Sequence, residues 1–227
     1  MNWQAYWDQQ AKLPDFHAQV ARKSDRIPVD DLLLDYIADH IAMRLKLGPD
    51  DRLLDAGCGN GQLSKRLARK CKEVVGVDLS PELIRKARRH HGADNIYYQV
   101  GEITRLSNLL NGPFDKINLY YTFQYLDSFR KGQAAMREMS YLIRPHGLIF
   151  LGDVPDRRKL DTFFPSPVQR LRYQLQQSFG GSESGRFWKE NDIRKLAHEQ
   201  WITVEVCPQP KDLPFADHRM DYLLEKR

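Results

Sequence analysis

Between residues 52 and 153, short apolar runs alternate with amphipathic segments, and that rhythm restricts the chain to very few folds. Arg52–Ala56 (RLLDA), Glu73–Val77 (EVVGV), Ile96–Val100 (IYYQV), Lys116–Thr122 (KINLYYT) and Leu148–Asp153 (LIFLGD) read as five strands. Among the segments between them, Gly61–Lys70 and Lys131–Ile143 read as helices, as does the stretch opened by Ser80-Pro81-Glu82, a cap residue with proline at the first helical position. Such a βαβα alternation calls for a parallel sheet with helices on both faces, joined by right-handed crossovers. After a segment rich in Pro, Gly, Ser and Arg (154–187), which holds a helix at Val168–Ser178, a helix at Glu190–Gln200 precedes two more strands, Ile202–Cys207 and His218–Lys226. The stretch between those strands suits a hairpin-like return. The expected class is α/β with seven strands, in a single domain spanning residues 1–227.

Ahead of this block, residues 2–47 read as helical. Leu33, Ile37, Ile41 and Leu45 form an apolar stripe, and Gly48-Pro49 stops it. With 41% hydrophobic and 29% charged residues, the composition is that of a soluble globular protein. No apolar run approaches the ~20 residues of a membrane span. The N-terminus has neither a basic nor an apolar leader region, so a cytoplasmic enzyme is expected. Cys58, Cys71 and Cys207 form no CxxC pair and no zinc spacing, and no metal site is expected. The net charge of +5 concentrates in Ser64–Lys72 and Ile84–His91. These are read as solvated helix faces, with a patch for RNA, anionic lipid or an acidic substrate as the alternative.

The turn after the first strand, LLDAGCGNGQLS, carries the chemistry. A glycine turn between strand and helix lets the backbone approach a ligand. The dinucleotide fingerprint is G-x-G-x-x-G, whereas here Gly57, Gly59 and Gly61 follow G-x-G-x-G, with Asp55 just before them. A carboxylate at that strand end disfavours a pyrophosphate and suits a cationic amine. Asp78 ends the second strand, where a carboxylate accepts bonds from ribose hydroxyls. Together they favour an adenosine ligand that carries an ammonium group and lacks phosphates, and S-adenosylmethionine fits.

On these residues the sequence resembles the class I S-adenosylmethionine-dependent methyltransferases of small-molecule type, well over residues 50–155 and loosely beyond. The resemblance implies a Rossmann-like, mostly parallel sheet with an antiparallel last strand. It implies that Asp55, Gly57, Gly59 and Gly61 surround the methionine part, that Asp78 holds the ribose and that Leu79 packs on adenine. In VGEITRL it places Glu102 toward the exocyclic amine and Ile103 beside the ring. FDKINLYYTFQYL is similar to the fourth-strand motif lining the methyl-transfer site, which adds Tyr120 to the cofactor set. YLIRPHGLIFLGD is similar to the family's turn into its fifth strand, with His146 where a glycine is usual, a structural departure given no catalytic role.

Methyl transfer from a sulfonium is an in-line displacement that needs a base only when the acceptor must lose a proton. Many small-molecule members carry a histidine pair in the fourth-strand motif, where this chain has Gln124 and Tyr125. No catalytic residue is thereby assigned; Asp153, His17 and Tyr125 are weak candidates. Asp153 reads equally as a loop cap, and His17 reads as a lone exposed histidine. Residues 1–47 are expected to form a helical lid or cap, with Tyr6 and Trp7 either covering the cofactor or packing on the core. Residues 154–187 are expected to form the acceptor-side lid. There, Arg157, Arg158 and Lys159 beside Phe163 and Phe164 suit a small-molecule acceptor that is anionic. The expected activity is methyl transfer to O or N of a small molecule, such as a sugar or natural-product intermediate. Two alternatives are an RNA or protein methyltransferase using the basic helices and a non-catalytic S-adenosylmethionine-binding partner subunit. Nucleic acid is disfavoured because no binding domain is appended. The sequence leaves the oligomeric state open.

Overall fold

The computed structural model describes residues 1–20, 29–179 and 181–227. Seven strands form one sheet: β1 (Arg52–Ala56), β2 (Glu73–Asp78), β3 (Ile96–Val100), β4 (Phe114–Tyr120), β5 (Ile143–Pro155), β6 (Ile202–Pro208) and β7 (Arg219–Lys226). Their order is β3-β2-β1-β4-β5-β7-β6. The first five are parallel, and β7 runs antiparallel to both β5 and β6. The chain winds outward from β1 to β3 and then crosses to β4 on the other side. This leaves a crevice at the carboxyl ends of β1 and β4, where ligands of open α/β sheets bind.

The helices are α1 (Trp3–Gln10), α2 (Phe16–Gln19), α3 (Asp31–Leu45), α4 (Gln62–Leu67), α5 (Pro81–His90), α6 (Phe129–Leu142), α7 (Leu160–Phe163), α8 (Pro167–Ser178) and α9 (Glu190–His198). Alternation along β1 explains how both sheet faces are covered. Leu53 packs with Ile41, Leu67 and Ile84 of α3, α4 and α5, while Leu54 joins Met136 and Leu196 of α6 and α9. The α3 stripe Leu33, Ile37, Ile41 and Leu45 is buried as expected. Trp188, fully buried, fills the second core and needs Gly132 beneath it, where a Cβ would lie 2.6 Å from the indole. No helix among the described residues is long and apolar enough to cross a membrane.

Several boundaries differ from the sequence reading by a few residues, and two of them turn on left-handed residues. The fourth strand ends at Tyr120 rather than Thr122, because Tyr121 takes φ 57° and turns the chain into a short 3-10 helix at Phe123–Tyr125. The Arg144–Gly147 turn survives as a bulge inside β5, where the pairing jumps from Phe114↔Ile143 to Lys116↔Leu148. His146 sits there at φ 60°, a left-handed conformation that favours glycine.

Candidate active site

The glycine turn folds back onto β2 through bonds from the Gly57 and Cys58 N–H groups to the Val77 carbonyl, at 2.7 and 3.0 Å. Gly57, Gly59 and Gly61 all have positive φ (82°, 58° and 83°). At the first two, space is as limiting as conformation. A Cβ on Gly57 would lie 2.3 Å from the Thr122 hydroxyl, and one on Gly59 would lie 2.8 Å from Val20. Asp78 faces this turn from the end of β2. One of its carboxylate oxygens accepts the Gly59 N–H and the other the Ser80 N–H, both at 2.9 Å. Burial, with Asp55 and Asp8 as like-charged neighbours, outweighs those two donors and pushes the carboxyl up to about 6.

A cavity of about 320 Å³ opens beside the turn. Of the sequence-predicted cofactor residues, Gly57, Gly59, Asp78, Leu79, Glu102, Ile103 and Tyr120 line it, and Asp55 and Gly61 do not. Asp55 sits behind the lining as an internal brace. It is 3% exposed, and its carboxylate accepts the Ser64 hydroxyl at 2.6 Å and the Asn118 amide at 2.8 Å. Asn118 stands directly across from it in the β1–β4 register. Gly61 is a turn glycine heading α4, where a Cβ would strike the Tyr98 hydroxyl at 2.4 Å. The bare turn, two carboxylates and the apolar pair Leu79 and Ile103 together offer the donor set an adenosyl sulfonium requires.

The other half of the lining comes from the start of the chain. Met1, Asn2, Trp3, Gln4, Trp7 and Val20 close the cavity. Trp3 and Trp7, one helical turn apart in α1, meet Tyr125 edge-on at 4.7 and 5.1 Å between ring centres, and Tyr121 stands 6.2 Å from Tyr125. Tyr6 packs on both tryptophans without lining the cavity, so Trp7 has the covering role and Tyr6 the supporting one. Trp3 was missed by the sequence reading; its i, i+4 spacing from Trp7 on a helix puts the two on one face but does not say what that face covers. Two polar latches hold this segment down. Asp8 accepts the Ser80 hydroxyl at the head of α5, and the amides of Asn60 and Gln62, inside the glycine turn, donate to the Phe16 carbonyl at 2.8 and 3.1 Å.

The catalytic candidates separate. Tyr125 lines the cavity, but burial holds its phenol well above the usual range and therefore protonated at neutral pH. Asp153 lies outside the main cavity. It is 3% exposed at φ 60°, accepts the Gln209 amide at 3.1 Å, and its backbone binds Asp221 and Arg219. His17 is on α2 and does not line the cavity.

The described residues of 154–187, expected over the acceptor, contribute nothing to the lining. Arg158 pairs with Asp156 and Glu190, and Arg157 opens onto a separate groove, so the basic cluster that suggested an anionic acceptor is turned away from the cavity. The segment instead braces the cavity from behind, where the Arg186 N–H donates to the Gln124 carbonyl at 2.7 Å. Part of the basic charge on the helices is likewise occupied. Arg66 pairs with Asp31 and Asp35, Lys70 with Asp39, and Arg88 donates to the Tyr98 carbonyl. Among the described residues, no group of three or more His, Cys, Asp or Glu is placed to hold a metal ion.

The family model for a methyltransferase domain matches residues 54–151, from the first strand to the fifth. Within those residues the chain carries a methyltransferase domain. The ubiquinone biosynthesis O-methyltransferase of Xanthomonas campestris pv. campestris is 30% identical over 148 residues, covering 64% of this chain and 54% of that protein. The chain thus spans about half the length of the curated relative it matches. A solved S-adenosylmethionine-dependent methyltransferase from Clostridium acetobutylicum superposes with a TM-score of 0.65 at 19% identity, over 87% of this chain and 92% of that one. The N-methyltransferase NodS from Bradyrhizobium japonicum, in complex with S-adenosyl-L-homocysteine, gives 0.68 at 16% identity over 100% and 99%. At these identities the solved structures speak for the fold of the domain.

Proposed function

We propose that this chain transfers the methyl group of S-adenosylmethionine to an oxygen or nitrogen of a small molecule held against Trp3, Trp7, Tyr121 and Tyr125. The observation that carries this reading is a single cavity lined at one end by the glycine turn, Asp78, Leu79, Glu102 and Ile103, and at the other by that aromatic wall. When bound, the cofactor supplies an electrophilic methyl on a sulfonium. The chain's own part is to hold and exclude. Gly57 and Gly59 admit the methionine part, Asp78 accepts the ribose hydroxyls, and Leu79 and Ile103 flank the adenine with Glu102 at its amine. Tyr120 lines the approach to the methyl. The tryptophans of α1 keep water out and align the acceptor, which supplies much of the acceleration in a displacement of this kind.

The lining also restricts the acceptor. Among the described residues it contains no histidine, and its carboxylates, Asp78 and Glu102, belong to the donor end. Tyr125, protonated at neutral pH, can orient an acceptor by hydrogen bonding but cannot take its proton. The favoured acceptor therefore carries its own lone pair at neutral pH, as a neutral amine or an acidic hydroxyl does. The printed names of the relatives, an O-methyltransferase and an N-methyltransferase, agree with that choice. Methylation of RNA or protein through the basic helices loses support from the ion pairs that tie Arg66 and Lys70 to α3.

Calorimetric titration with S-adenosylmethionine and with NAD tests the donor, and tighter binding of NAD would overturn the reading. Transfer of labelled methyl to pools of phenols and amines, run beside total RNA, tests the acceptor. Label appearing in RNA alone would replace the small-molecule reading with the alternative.

A further inference from the structure

Helix α8 has an apolar face that the fold leaves uncovered. Val168, Leu171, Leu175 and Phe179 are 74%, 57%, 51% and 88% exposed. At spacings of three, four and four residues they share one narrow stripe. The helix is not loose. Tyr173, on its opposite side, is buried, donates its hydroxyl to the Gly185 carbonyl at 3.3 Å and accepts the Phe187 N–H at 3.1 Å. A capping box at Ser166 and Gln169 fixes the first turn. The stripe is therefore presented by a docked helix about 18 Å long, too short to cross a bilayer.

Its surroundings are basic. Residues 157–179 hold five basic side chains and one acid, Asp161, and α8 itself has arginines and no acidic residue. Arg172 is exposed at the stripe's edge. A groove beside the stripe is lined by Arg157, Asp161, Arg170 and Leu171; Arg170 pairs with Asp161 at 3.4 Å, which leaves Arg157 and Arg172 as the arginines flanking the apolar face. An apolar stripe flanked by arginines suits a surface that offers hydrocarbon below and negative charge above. A second copy of the chain suits it less, because a two-fold pairing of α8 would bring the arginines of both copies together.

We propose that α8 docks this protein on an anionic membrane surface, with Leu171, Leu175 and Phe179 in the headgroup layer and Arg172 beside lipid phosphates. The end of α8 adjoins the cavity's rim. A Cβ on Gly181 would lie 3.8 Å from that of Met1, which lines the cavity. Docking thus brings the cavity mouth to the lipid, and with it an amphiphilic acceptor partitioned there. That consequence rests on the methyl-transfer reading, whereas the docking does not.

The test is co-sedimentation of the full chain with vesicles of phosphatidylcholine alone and of phosphatidylcholine with phosphatidylglycerol. The protein should sediment with the anionic vesicles and much less with the neutral ones, and added salt should release it. Leu171→Glu with Leu175→Glu should lower the bound fraction about tenfold or more, and Arg172→Ala alone about fivefold. Cofactor titration should be unchanged in both variants, which establishes that they are folded and keeps the result separate from the methyl-transfer reading. Absence of binding to anionic vesicles, or equal binding by wild type and the double variant, overturns the proposal. So does a lipid-free dimer in sedimentation velocity that the double variant abolishes, which would assign the face to a second copy.

Discussion

At the donor end, the cavity is lined by residues 57–59, 78–79 and 101–103, each at or within a few positions of the carboxyl end of a parallel strand. At the acceptor end, Trp3 and Trp7 from the start of the chain meet Tyr121 and Tyr125 from beyond β4. The first arrangement follows from local chemistry: a strand, a turn that must be glycine, and an acid one strand over. The second exists only because Asp8 and the Asn60–Gln62 pair fasten a separate segment across the sheet. A donor site built this way is set by the sheet itself, whereas an acceptor site built by docking can change with the segment that docks.

The sharpest way to break this contrast is Asp78→Ala, which removes the proposed acceptor of the ribose hydroxyls and orphans the Gly59 and Ser80 N–H groups. Cofactor affinity should fall roughly a hundredfold in calorimetry, the worth of two hydrogen bonds to a charged group. Unchanged affinity would mean that the donor end has been misassigned. Trp3→Ala tests the other end. It should lower kcat/KM for the acceptor about tenfold by loosening alignment, with cofactor affinity changed by less than about threefold. A larger loss in cofactor binding than in turnover would erase the distinction between the two ends.

The charge state of Asp78 gives a smaller effect that sharpens the comparison. Below about pH 6 the free protein holds a proton on this carboxyl, and the ribose hydroxyls need the ionised form. Binding then displaces that proton, so affinity should be level above pH 6 and fall by up to about tenfold per unit below it. Titrations at a series of pH values would show the bend. Asp8→Ala should produce the smallest effect. It removes one of the negative neighbours that raise Asp78, so the bend should move to lower pH. It also leaves the Ser80 hydroxyl without its acceptor, at a cost of about 1 kcal/mol in stability. A bend that stays in place would mean that Asp8 does not act on Asp78.

The same contrast explains what the sequence made legible. Strand and helix identities, the glycine turn and Asp78 could be read because each depends on neighbours within a few residues. The hydroxyl and amide bonds that turn Asp55 inward could not, since the amide bond needs the β1–β4 register that sets Asn118 beside it. The covering role given to 154–187 followed composition. The segment's arginines turned instead to Asp156 and Glu190, acids that the fold brings alongside. Trp3 sat in plain view, but nothing local distinguishes a tryptophan that covers a cavity from one that fills a core.

The grip of Asn60 and Gln62 on the Phe16 carbonyl also has a consequence in time. The turn that lines the cavity is also the surface that the N-terminal segment grips. Donor first in and demethylated product last out is the expected order, and product-inhibition kinetics check it.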